Sequence, residues 1–214
     1  RDSLYLIDKA ISRNTHSHNA RHLKVALLRK TGNIPAAKAL IDDSLTVDRF
    51  NYGCLFEQYL LALNNLVVSD SNKLLQEFKN LIRNSFNNYL EYALDYVHAG
   101  MYEEAVWLLN IYEEDMAEAN PLLYYYLGWL NVQMNNPQLA IEYFIKAASI
   151  SPDYCFPNKI EDMQALESAV NHNPGDARAH YFLGNYWYAK RQYPEAIVCW
   201  ERSMQLDDQF PTVL

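Results

Sequence analysis

Three histidines within the run HSHNARH, His16, His18 and His22, form the one cluster in this sequence that suggests a metal ion. His18 and His22 stand four residues apart, so a helix would place both imidazoles on one face, as in many zinc sites. Carboxylates are thin around them and His16 falls in a turn, so the run reads as turn and helix surface, and no metal or other cofactor is expected. Cys54, Cys155 and Cys199 have no histidine beside them at a diagnostic spacing. Their odd number and wide separation point to neither a disulfide framework nor a zinc motif. Carboxylate groups such as Glu103–Glu104 and Glu113–Glu114–Asp115 read as solvated helix faces. GxSxG, HExxH and glycine-rich phosphate loops are all missing, so the chain is read as non-catalytic.

Composition narrows the partners. Eighteen basic against twenty-six acidic residues give a net charge of −8, which argues against nucleic acid or an anionic membrane surface as the main partner. Apolar residues at 50% and charged residues at 21% supply a core without the signature of disorder. No apolar run approaches the ~18 residues of a membrane span, and the opening RDSLYLIDK is not a signal peptide. Unpaired cysteines lean towards a reducing compartment such as the cytoplasm.

The elements that would position any site are periodic. The 214 residues divide into about six lengths of 34. With Pro121 as phase 1, residues 121–154 place Leu127, Gly128, Ala140, Phe144, Ala147 and Pro152 at phases 7, 8, 20, 24, 27 and 32. Residues 177–210 repeat the pattern with Leu183, Gly184, Trp187, Ala196 and Trp200, and depart from it at Ser203 and Asp208. Residues 86–120 keep Tyr89, Ala93, Tyr96, Gly100, Tyr102 and Ala105, and residues 18–51 keep Leu28, Gly32, Ile34 and Ala37. Residues 52–85 have the right length but carry Ser71 where alanine belongs and Phe78 at phase 27, which predicts a local distortion. Residues 1–17 read as the second helix of a unit. Residues 155–176 read as a half-unit in which Phe156–Pro157 replaces a first helix, predicting that 155–160 are non-helical. Gly128 and Gly184 fall mid-helix, where close helix approach explains them; Gly32 and Gly100 fall at a helix end suited to a left-handed cap.

This pattern resembles the tetratricopeptide (TPR) repeat. The resemblance implies an all-α, right-handed α-α superhelix of helix hairpins. It implies one solenoid over 1–214, built of units 18–51, 52–85, 86–120, 121–154 and 177–210 with half-units 1–17 and 155–176. Tyr89, Tyr96, Tyr124, Phe144, Trp187 and Trp200 then read as core. In that family phases 2, 5, 9, 12 and 13 of each first helix line the concave surface. Carried over here, the face comprises Phe56 and Leu60, Leu90 and Leu94, Tyr125 and Trp129, and Tyr181, Asn185 and Tyr188. Such an apolar, aromatic stripe implies a protein-interaction scaffold whose partner is a protein, a peptide or another domain of the same polypeptide. Tyr181 stands where carboxylate-clamping members carry lysine, so recognition of acidic tails is disfavoured.

The C-terminal third also resembles an uncharacterised bacterial family in which a TPR array follows a β-sandwich similar to galactose mutarotase. The residues carrying this are CFP at Cys155–Pro157, LGNYWY and CWERS. The alternative it implies is the structural half of a larger carbohydrate-active or sugar-binding protein, docking its own β-sandwich. The chain starts within a second helix and stops at FPTVL, where another first helix is due, so a segment of a longer polypeptide is expected.

Overall fold

In a computed structural model, residues 2–64, 68–83, 85–115 and 120–208 are described. Glu114, Asp115 and the FPTVL run fall outside what is described of side chains or backbone. The chain is all-α: every regular element among the described residues is a helix. In order these are α1 (Asp2–Arg13), α2 (His18–Lys30), α3 (Ile34–Val47), α4 (Tyr52–Asn64), α5 (Val68–Ile82) and α6 (Phe86–His98). There follow α7 (Tyr102–Asp115), α8 (Pro121–Gln133), α9 (Pro137–Ser149), α10 (Ile160–His172), α11 (Ala177–Ala189) and α12 (Tyr193–Leu206). They group into two compact units, 1–101 and 102–214.

Local sequence sets where the helices start and stop. The side chains of Ser17, Asn33, Asn120 and Asp176 each accept a bond from a backbone N–H in the first turn of α2, α3, α8 and α11, satisfying donors that a helix start leaves orphaned. Proline opens α3, α8, α9 and α12, where its missing N–H costs nothing. First helices end on a left-handed residue: Gly32 at φ 79° and Gly100 at φ 72°, as their phase predicts. Asn135 and Arg191, both near φ 60°, do the same without glycine. In all four turns two bonds close the cap, for example Asn33 N–H to Leu28 O at 2.9 Å and Gly32 N–H to Arg29 O at 3.0 Å.

In the first unit, α2–α3 and α4–α5 are packed hairpins, with α1 against α2 and α4 against both α2 and α3. The core joins Val25, Leu28, Ala37, Ile41, Cys54 and Leu61. Glu57, fully buried on α4, is held by the Arg29 guanidinium (2.6 and 3.2 Å) and by the Tyr96 hydroxyl (2.7 Å), so its charge is paired and hydrogen-bonded. Phe78, the bulky residue at phase 27, is accommodated in an aromatic cluster with Phe56 and Tyr89 at 5.8 and 5.7 Å between ring centroids.

In the second unit, α8–α9 and α11–α12 are hairpins, and α7 packs on α8. Residues 155–159 are non-helical, and α10 begins at Ile160. This lone helix packs on α8 and α11 and touches α9. In each hairpin a mid-helix glycine admits an aromatic ring from the partner helix. A Cβ built on Gly128 would lie within 3 Å of three Phe144 ring atoms, and one on Gly184 within 3 Å of three Trp200 ring atoms.

Candidate functional site

The second unit contains two hairpins of the same register with opposite fates. Helix α8 is buried continuously from Pro121 to Asn131. What seals it is α10, whose Asp162, Ala165, Leu166 and Ala169 form one buried stripe at helical spacing. Asp162 binds three donors: the Tyr126 hydroxyl on Oδ1 at 2.6 Å, and the N–H groups of Asn158 and Lys159 on Oδ2 at 2.7 and 2.8 Å. One carboxylate thus starts α10 and ties it to α8. Asp176 does the same for α11, accepting from Ala179 N–H at 2.9 Å and from the Tyr125 hydroxyl at 3.0 Å. Burial raises the Asp176 carboxyl above the usual carboxylate range. Burial, with Asp176 beside it, holds the Tyr125 hydroxyl well above its ordinary value. At the other end of α10, the His172 ring meets Phe144 at 5.9 Å.

The α11–α12 hairpin is open on the corresponding face. Tyr181 and Asn185 are half-buried, and Tyr188 is 56% exposed. The Asn185 side-chain oxygen accepts from Trp200 Nε1 at 3.2 Å, which fixes the indole. Tyr188 lies between two rings, Trp200 at 5.6 Å and Tyr193 at 5.4 Å, and Tyr193 is itself half exposed. The result is a partly exposed aromatic platform, held by ring contacts and one indole-to-amide hydrogen bond.

The remaining predicted face is not a surface. Phe56, Leu60, Leu90, Leu94 and Tyr125 are buried, which corrects the expectation of a continuous exposed stripe. Adjacent elements cover these positions: Phe56 packs on Phe78 and on Tyr96 of α6, and Tyr125 on Phe182 of α11. Trp129, at 9% exposure, is core and touches Tyr126. Two aromatic residues expected in the core, Trp187 and Trp200, are half-buried. The histidines do not converge. His18 Nε2 faces Asp48 at 3.4 Å, whereas His22 is fully buried against Tyr92 and Tyr96, and burial pushes its imidazole down to about 4. Among the described residues no three His, Cys, Asp or Glu side chains are placed to hold a metal, and all three cysteines are free.

Sequence reasoning missed two features. One is the alternation along 154–160, where buried Cys155 and Pro157 separate the exposed Tyr154, Phe156 and Asn158. The other is a cleft of about 400 Å³ in the first unit between α3, α4 and α5. Its rim carries Lys38, Asp42 and Asp70 over Leu61 and Leu74, and none of its lining side chains is aromatic.

Residues 177–210, the open hairpin and its tail, match the family described as the tetratricopeptide repeat. No curated protein matches the chain. Among solved structures it is similar to yeast Tom70, at 17% identity and TM-score 0.41, over 95% of this chain and 39% of that one. It is similar to the Cut9–Hcn1 hetero-tetramer of the APC/C, at 15% identity and TM-score 0.38, and spans 44% of that chain's length. A third is YrrB, described as a TPR protein with an unusual peptide-binding site, at 18% identity and TM-score 0.27 over 97% of this chain and 95% of that one. Likenesses at this level say nothing of what this chain binds. The further resemblance to a family with a mutarotase-like β-sandwich finds no support: none of these comparisons points to it, and no strand occurs among the described residues. No helix among the described residues is long and apolar enough to cross a membrane.

Proposed function

We propose that the chain is a non-catalytic protein-interaction scaffold and that its binding surface is the open face of the α11–α12 hairpin, with Tyr181, Asn185 and Tyr188 against the partner. The observation that carries this reading is the Tyr188–Trp200–Tyr193 cluster, in which Tyr188 and Tyr193 are exposed beside the half-buried Trp200. Aromatic residues with polar tips are the side chains most often found at binding hot spots, because they bury area at small entropic cost. The repeat-family match falls on this hairpin, and protein or peptide binding is the usual work of such repeats.

Selection of a displayed random-peptide library against the folded chain tests the reading. The expected result is enrichment of ligands whose binding falls at least about tenfold with Tyr188→Ala, in a variant that melts like the parent. No enrichment, or ligands indifferent to both Tyr188→Ala and Tyr181→Ala, would overturn it.

A further inference from the structure

Helix α12 carries two apolar faces, and its hairpin uses one. Ala196 and Ser203 are buried, and Ser203 Oγ donates to Ala177 O of α11 at 2.7 Å. A second stripe runs through Tyr193, Ile197, Trp200 and Met204, whose spacings of four, three and four put them on one side of the helix. Tyr193, Ile197 and Met204 are 50, 51 and 43% exposed, and Trp200 is half-buried. Tyr188 of α11 meets both Trp200 and Tyr193, so the stripe is continuous with the open face. The repeat does not demand it. At the same phases α9 carries Pro137, Ile141, Phe144 and Ala148, with Phe144 fully buried.

The spacing reads the same in both directions, so the stripe complements itself when run antiparallel. A second α12 laid that way sets Tyr193 level with Met204 and Ile197 level with Trp200, the self-matching that a two-fold contact requires. Charge fixes the direction. Arg191 is exposed just before α12, and Asp207 and Asp208 are exposed just after it. Antiparallel pairing brings Arg191 of each copy to the acidic end of the other, whereas parallel pairing sets like charge on like. In the same register Glu195 falls level with Arg202 and Glu201 with Ala196, so no acid is level with an acid.

Resting on the reading of this face as protein-binding, we infer that its occupant is a second copy of the chain. Two α11–α12 hairpins pack face to face about a two-fold axis, α12 antiparallel on α12, with Arg191 of each copy against Asp207 and Asp208 of the other. A contact of this extent is small, so the dimer is reversible.

Sedimentation equilibrium of the 214-residue chain from roughly 1 to 300 μM tests this. The average mass should climb from 24.9 kDa towards twice that value. Ile197→Asp should leave the chain monomeric over the whole range while melting like the parent, because the side chain is exposed. Ile145→Asp, at an exposed isoleucine of α9, should leave dimerisation intact. Arg191→Asp should weaken the dimer severalfold, and so should Asp207→Arg combined with Asp208→Arg. Mixing these two variants in equal amounts should restore it, since every end then meets its opposite. The two ends of one α12 lie about 24 Å apart, so only pairing between chains can produce that rescue. A mass that stays monomeric, a dimer that survives Ile197→Asp, or a mixture that restores nothing overturns the inference. If the chain stays monomeric while the library yields Tyr188-dependent ligands, the second copy is excluded and the interaction reading stands. If the library is blank as well, both fall.

Discussion

The α8–α9 and α11–α12 hairpins share a register, a contact glycine paired with an aromatic ring, and a left-handed turn, yet Tyr125, Trp129 and Phe144 are buried in the first whereas Tyr181, Asn185 and Trp200 are half-buried in the second. Their own residues differ modestly: α8 carries no charged side chain, whereas α11 carries Arg178 and has Asn185 where α8 has Trp129. Leu, Tyr and Trp run along α8, and Leu, Phe, Tyr and Trp along α11. What differs is that α10 lies on the first hairpin and no described element lies in the same place on the second. A repeat position is therefore not a burial state: the neighbour decides whether an aromatic ring at a given phase stabilises the fold or remains available to a partner.

The contrast is open to attack by mutation, starting with the largest expected effect. Trp129→Ala should cost about 3–5 kcal/mol in denaturant unfolding, because the indole is enclosed and its removal leaves a cavity. A loss under about 1 kcal/mol would show that α8 is not sealed. Gly128→Leu should cost about 3 kcal/mol or more, since Phe144 is fully buried and has nowhere to go. Gly184→Leu makes the same collision with Trp200, but the half-exposed indole can swing outwards, so about 1 kcal/mol is expected. Equal costs at the two glycines would break the comparison.

Tyr125 gives the sealed side a pH signature. An unfolded tyrosine ionises near pH 10, whereas burial keeps Tyr125 protonated well above that. The unfolded state then holds fewer protons, so its contribution is intact below about pH 10 and is lost as pH rises, by about 1.4 kcal/mol per pH unit. Tyr125→Phe should flatten the alkaline limb of the stability profile by that slope, and an unchanged limb would place the hydroxyl in water. Smallest are the turns. Arg191→Gly should raise stability by up to about 1 kcal/mol, since the left-handed conformation crowds the Cβ of an L-residue against the backbone carbonyl and glycine has none. Asn135→Gly should change it by only a few tenths, because asparagine tolerates that region. Similar gains at both turns would argue against strain at Arg191.

Much of the fold was legible in the sequence because its signals are local and repeated. Glycine at two phases marked the left-handed caps and the close contacts, and Pro157 marked the break before α10. Helix-forming, capping and turn preferences act over a few residues, so a period of 34 exposes them six times over with little need of context. The site was legible only in part. Phases 5, 9 and 12 named Tyr125 and Tyr181, Trp129 and Asn185, and Val132 and Tyr188 as equivalent pairs; at phase 5 the same residue is buried in one hairpin and half-buried in the other, which nothing local decides. One hint was present at Asp162, which occupies the phase where Ala37, Ala105, Ala140 and Ala196 stand: a carboxylate there needs donors from outside its own helix.

Residue types and spacing alone determined that this chain is helical, where its helices begin and end, and which glycines admit rings. Tertiary structure decided that α10 covers α8, that Phe56, Leu60, Leu90, Leu94, Tyr125 and Trp129 are inside, and that the aromatic cluster around Tyr188 stays in water. The reason is physical: secondary structure answers to neighbours in sequence, whereas burial answers to neighbours in space, and the packing of α10 on α8 acts on the second and not the first.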